Sequence, residues 1–174
     1  MHMADALISP VVGIAGWAGA AAVAAYAAAK LKKTATLEKT VPMMAVLGAF
    51  VFAAQMINFS IPGTGSSGHL GGGLLLSILL GPHAAFLALT SVLTVQALFF
   101  ADGGLLALGC NILNMAAVSC YLVYPLIFKP LAGQNSSGSR RWLAMVLAAV
   151  INGALGAFGV VLETTVSGIS ELPF

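Results

Sequence analysis

The chain has 174 residues, of which 60% are hydrophobic and only 7% charged, against roughly 25% charged in soluble domains. Seven Lys/Arg and five Asp/Glu cannot coat a globule of this size, so lipid must be the solvent for most of its surface. A net charge of +2, with no basic stripe, excludes nucleic acid as a partner.

Uncharged apolar runs mark the predicted spans. Leu7–Ala29 is 23 residues long, Val41–Phe59 is 19, Ala84–Ala101 is 18, Gly103–Phe128 is 26 and Trp142–Leu162 is 21. Each suffices to cross ~30 Å of hydrocarbon as a helix, which takes about 17–25 residues. Leu70–Leu80 is apolar but only 11 residues long, between Gly68 and Gly81-Pro82.

The basic residues decide the topology. Lys30, Lys32, Lys33 and Lys39 follow the first span, and Lys129, Arg140 and Arg141 precede the last. The positive-inside rule places both groups in the cytoplasm. An even number of crossings must separate them, so Leu70–Leu80 has to cross as well, shielded from lipid by protein. The expectation is an all-α, polytopic transmembrane helical bundle of about six helices, one domain over residues 1–174, with its amino terminus outside. Asp5, Asp102, Glu163 and Glu171 then lie at the outer face and Glu38 inside.

No basic leader precedes the first apolar run, so the amino terminus does not read as a signal peptide and Met1 is expected to be retained. Cys110 and Cys120 share one predicted helix and stand ~15 Å apart along its axis, too far for a disulfide. The first helix is crowded with small residues, among them Gly13, Gly16, Gly19 and Ala20. These serve either close packing within the bundle or docking of another membrane subunit.

Three histidines, His2, His69 and His83, are the candidate functional side chains of so apolar a chain. The Met1 α-amine, the His2 amide nitrogen and His2 Nδ1 can form two fused chelate rings once the amide loses its proton. A fourth nitrogen completes a square plane, the geometry of Cu(II) and Ni(II). The topology puts His69 on the same outer face, in a glycine-rich loop able to fold under the amino terminus. His83 falls on the opposite side and is not counted as a ligand; Met3 could offer a soft thioether, but core or lipid contact is preferred. Asp5 is a candidate acceptor for a ligating imidazole. Gln96, Asp102, Asn111 and Asn114 lie near the outer end of two consecutive helices. Asn111 and Asn114, three apart, are expected to share a face, with hydrogen bonding between helices favoured over metal contact.

Met1-His2-Met3-Ala4-Asp5, Ser66-Ser67-Gly68-His69-Leu70, Leu80-Gly81-Pro82, Gln96-Ala97-Leu98-Phe99-Phe100-Ala101-Asp102-Gly103-Gly104 and Asn111-Ile112-Leu113-Asn114-Met115 together carry a resemblance. The whole chain, in this order, resembles the substrate-capture subunit of energy-coupling-factor nickel/cobalt transporters, the NikM/CbiM family. The resemblance implies a prokaryotic inner-membrane transport subunit, not an enzyme, with Ni2+ or Co2+ as its transported substrate and no organic cofactor. It implies a transmembrane coupling subunit, two ATPase subunits that hydrolyse the ATP and a small accessory membrane subunit as partners. The family's ligands carry over to the Met1 amine, the His2 amide and imidazole, and the His69 imidazole. Ser67, Asp5, Gln96, Asp102, Asn111 and Asn114 are then candidates for the surrounding layer. The square nitrogen set leans towards nickel. Family members often read Ile-Pro-Asp-Gly where this chain has Met3-Ala4-Asp5-Ala6, and usually continue into another helix where this sequence stops.

Two other classes compete. An intramembrane serine protease would use Ser67 of Gly65-Ser66-Ser67-Gly68, but no histidine follows His83 to serve as its base. A structural membrane subunit would bind no metal. The chain contains no Gly-rich phosphate loop followed by Lys, so ATP must be hydrolysed elsewhere.

Overall fold

The computed structural model describes residues 2–62, 66–133 and 136–169, without the side chains of residues 60, 61, 66 and 67. Met1, Glu171 and the Ser67 side chain therefore lie outside the described residues. Six helices make the bundle: α1 (Pro10–Lys32), α2 (Leu37–Gln55), α3 (Gly73–Leu80), α4 (Pro82–Phe99), α5 (Leu108–Ala132) and α6 (Gly138–Ser167). All but α3 are long and apolar enough to cross a membrane. The expected polytopic helical bundle is what the chain forms.

Helix ends depart from the charge-free runs for local reasons. Ser9 caps α1, its Oγ accepting from the Val12 amide at 3.3 Å, and Pro10 follows at the first helical position. There its missing N–H costs nothing. At the far end α1 runs through Lys30 to Lys32, because lysine is a good helix former and its charge suits a helix carboxyl end. Ser137 caps α6 in the same way as Ser9 caps α1, accepting from the Arg140 amide at 3.4 Å.

The short helix is only partly covered by the bundle: Leu76 and Ser77 are buried, while Leu75 and Leu79 are exposed. Eight residues of α3 rise about 12 Å, less than half the hydrocarbon thickness, and the extended stretch before it supplies more of the depth. That stretch is threaded between helices where only glycine fits. A Cβ on Gly72, whose φ is +76°, would meet Val51 Cγ1 at 2.5 Å, and one on Gly73 would meet Ser119 Oγ at 2.7 Å. Gly81, at φ +79°, turns the chain straight into α4.

The core lies around α4, whose Ala85, Phe86 and Leu89 are fully buried. They belong to one cluster with Leu76 of α3, Val51 of α2, Ala27 of α1 and Met115 and Cys120 of α5. Close packing accounts for one face of α1: Gly13 abuts Leu106, Gly16 abuts Cys110, and Gly109 meets the backbone of Gly16-Trp17. On the opposite face Ala15, Ala18, Ala22, Ala25 and Ala29 are exposed. Both cysteines are free thiols.

Two features were not expected. Phe59–Ile61 (β1) pairs antiparallel with Ser66–Gly68 (β2), Phe59 opposite Gly68, so backbone groups outside the helices satisfy one another. The Phe59 ring lies across Gly68 where a Cβ would stand. The other is in α5, whose central stretch Leu113–Phe128 is wound as a π-helix. Its wider turn carries fewer degrees per residue than an α-helix.

Candidate metal centre

The amino terminus is drawn into one end of the bundle. His2 is 6% exposed and Met3 fully buried, which polar backbone tolerates only when its hydrogen bonds are made. They are made by Asn111 of α5 and by the connection between α4 and α5. The Met3 amide donates to Asn111 Oδ1 at 2.8 Å, while the Met3 carbonyl accepts from Asn111 Nδ2 at 3.2 Å and from the Gly104 amide at 2.9 Å. Asp5 Oδ1 accepts from the Ala107 amide at 2.9 Å, just before α5 begins, where a carboxylate complements the helix dipole. Gly103 and Gly104 leave the room: a Cβ on Gly103 would stand 3.3 Å from His2 Cβ, and one on Gly104 would overlap Asp5.

This docking brings His2 onto His69. Their rings stack with centroids 4.6 Å apart and planes 20° from parallel. His69 leaves the β-hairpin directly, and its Nδ1–H donates to the Leu70 carbonyl at 2.9 Å, which directs the Nε2 lone pair away from the backbone. Gln55 steadies the same loop, its Nε2 donating to the Gly71 carbonyl at 3.0 Å. Both nitrogens of His2 are buried and, among the described residues, neither makes a hydrogen bond. Asp102 Oδ1 stands 3.1 Å from His2 Nδ1.

Burial lowers the basicity of His2 most. Asp102 pushes it back up, His69 lowers it again, and the result is about 4. Burial likewise lowers His69. Both imidazoles are thus neutral near pH 7, the form that coordinates a metal. The rings are not yet arranged around one ion. A metal lies in the plane of the imidazole that binds it, so stacked rings converge only after one turns. His2 is held beside the clamped backbone of Met3, and His69 is the less buried of the two rings. Among the described residues, no three His, Cys, Asp or Glu side chains form a ready-made metal site.

The remaining candidates separate. Asn111 clamps the amino terminus, but Asn114 points elsewhere: its Nδ2 donates to Glu163 Oε2 of α6 at 2.7 Å. The two reach different elements, Asn111 the amino terminus and Asn114 α6. Gln96 is fully buried, and among the described residues its side-chain amide has no hydrogen-bond partner. Met3 is a core residue, as read from the sequence. His83 sits on another part of α4 beside Tyr26 and Tyr121, its Nδ1 3.0 Å from the Tyr121 hydroxyl. It does not join His2 and His69. The roles of Gly103, Gly104 and Gln55 were not read from the sequence, although paired glycines before Asn111 are a signal of close backbone approach.

The chain is thus a polytopic membrane bundle with two stacked imidazoles, His2 and His69, at one end. The chain belongs to the family described as the cobalt uptake substrate-specific transmembrane region, which matches residues 2–174. A protein of Haloquadratum walsbyi named as a metal transport protein is 38% identical over 96% of this chain and 78% of its own. The fused nickel transport protein NikMN of Archaeoglobus fulgidus is 43% identical over 67% of this chain, which spans 40% of that longer protein. The crystal structure of a truncated transition metal transporter matches with a TM-score of 0.84 at 34% identity, over 94% of this chain and 74% of that one. These relatives are transporters, not proteases.

Proposed function

We propose that this chain is the substrate-binding membrane subunit of an energy-coupling-factor transporter and captures Ni2+ or Co2+ for import. The ligands are the Met1 amine, the His2 amide and imidazole nitrogens, and His69. The observation that carries this reading is the burial of His2 against the ring of His69, with no geometrically complete hydrogen bond to either His2 ring nitrogen among the described residues and Asp102 Oδ1 3.1 Å from Nδ1. An unpaired polar group in a protein interior is costly, and a metal supplies what these nitrogens lack. Docking of the amino terminus by Asn111 holds the chelating end of the chain in place.

The site end is the outer face, in the inner membrane of a prokaryotic cell, and the basic ends of α1, α5 and α6 face the cytoplasm. A transmembrane coupling subunit, two ATPase subunits and a small accessory membrane subunit complete the transporter. Nickel is the favoured ion, because a planar nitrogen set with a deprotonated amide suits it.

The test is an extension of the amino terminus by one residue. It turns the amine into an amide and moves His2 out of chelating register, so calorimetry should show high-affinity Ni2+ and Co2+ binding abolished. Unchanged affinity would overturn the chelate. A tag after Phe174 should leave binding intact.

A further inference from the structure

Helices α1 and α5 run side by side, and glycines set how closely. Gly13 faces Leu106, Gly16 faces Cys110 and Gly19 faces Leu113, so the backbones approach where a side chain is missing. Beyond Gly19 the spacing of glycines stops, and α1 turns Ala22, Val23 and Tyr26 towards its neighbour instead. A groove of about 670 Å3 opens there, with Ala117 and Val118 on the α5 wall and no carboxylate in its lining.

The two ends of the groove differ. One is closed by Asn114, which is buried and tied to Glu163 at 2.7 Å. The other is walled by aromatic rings, Tyr26 from α1 and Tyr121 from α5, with centroids 6.0 Å apart. His83 of α4 braces both, 5.5 Å from the Tyr26 ring and with its Nδ1 3.0 Å from the Tyr121 hydroxyl. Lys30 Nζ stands over the Tyr26 ring, 5.6 Å from its centroid, a cation–π distance that holds the ammonium at the open end. Among the described residues no carboxylate pairs with it.

These features fit one kind of molecule. An apolar groove facing lipid is filled by hydrocarbon, and an ammonium at the basic end attracts an anion. From Ala22 to Lys30 the helix rises about 12 Å, close to the depth of one leaflet in a hydrocarbon layer of ~30 Å. A free anion has no use for the groove, and an uncharged partner helix would leave Lys30 unpaired. We propose that the α1–α5 groove binds an anionic phospholipid of the cytoplasmic leaflet, its acyl chain against Ala22, Val23, Ala117 and Val118 and its phosphate on Lys30. The orientation proposed above assigns the leaflet; the pairing of groove and lysine stands without it.

The experiment titrates the full chain, in detergent micelles, with phosphatidylglycerol or phosphatidylcholine of identical acyl chains and counts bound lipid by native mass spectrometry. Micelles have no leaflets, so the outcome is independent of orientation. Wild type should prefer phosphatidylglycerol, and Lys30→Ala should lower that affinity about fivefold. Lys33→Ala removes the same charge three residues on and should retain the preference. Ala22→Phe and Ala117→Phe fill the groove from opposite walls and should weaken binding of both lipids. No preference in wild type overturns the proposal, as does an equal loss in Lys30→Ala and Lys33→Ala, which would mean a diffuse basic surface. Full phosphatidylglycerol binding in folded Ala22→Phe and Ala117→Phe overturns it too, and leaves the groove to a partner helix.

Discussion

Asn111 grips Met3 across its backbone, accepting from the Met3 amide at 2.8 Å and donating to the Met3 carbonyl at 3.2 Å. One side chain thus does what a neighbouring β-strand would do, 108 residues away in sequence. It converts a chain end, which would ordinarily fray, into a fixed part of the bundle interior.

Asn111→Ala should therefore release the amino terminus without unfolding the helices. The cost to docking is about 1–3 kcal/mol for a buried polar group left unpaired. Calorimetry should find metal affinity down about 10–100-fold, the loss typical of a group that supports ligands, with thermal unfolding of the bundle little changed. Affinity equal to wild type would mean that the clamp contributes nothing to capture.

Two glycines should part company on substitution. Gly104→Ala places a methyl on Asp5, so it should displace the amino terminus and impair metal binding more than stability. Gly109→Ala drives a methyl into the Gly16-Trp17 backbone of α1, where no side chain can yield. Overpacking of this kind costs typically 1–3 kcal/mol, and thermal unfolding in detergent should show Gly109→Ala as the less stable of the two.

The docked state of His2 should depend on pH in a defined direction. Its basicity is lowered, mainly by burial, from 6.5 to about 4, so release of the ring is accompanied by proton uptake between those values. Docking is fully favourable above pH 6.5 and weakens as pH falls through that window towards 4. Ring signals of isotope-labelled histidine in the metal-free protein should keep His2 neutral at pH 5.5. A midpoint near 6.5 would place the ring in water.

His69→Ala and His83→Ala should give opposite results in a metal titration. The first removes the ring stacked on His2, and strong binding should be lost. The second breaks the 3.0 Å contact with the Tyr121 hydroxyl, away from the histidine pair, and should leave affinity near wild type. Equal losses would move the site.

Composition alone placed this chain in a membrane, because charge-free runs of span length have no other stable solvent. Basic residues in two groups argue from the sequence that the short Leu70–Leu80 segment crosses, while the close fit of Gly72 and Gly73 against α2 and α5 is seen only in the fold. Fusion of an amine, an amide and an imidazole at Met1-His2 is a property of covalent structure, so that candidate chelate needed no fold to be recognised. What tertiary structure alone decided is where polar side chains point. Asn111 and Asn114 look equivalent at an α-helical three-residue spacing, yet one reaches Met3 and the other Glu163, because different elements pack against them. The β-hairpin likewise arises from backbone groups that must pair once the helices around them are placed. Asp102 reads from the sequence as a candidate for the layer around the site, and the fold brings it to 3.1 Å from His2, just past the left-handed Ala101. Hydrophobic periodicity and charge are summed along the chain and survive reading in one dimension; the direction of a single side chain depends on contacts that close over a hundred residues.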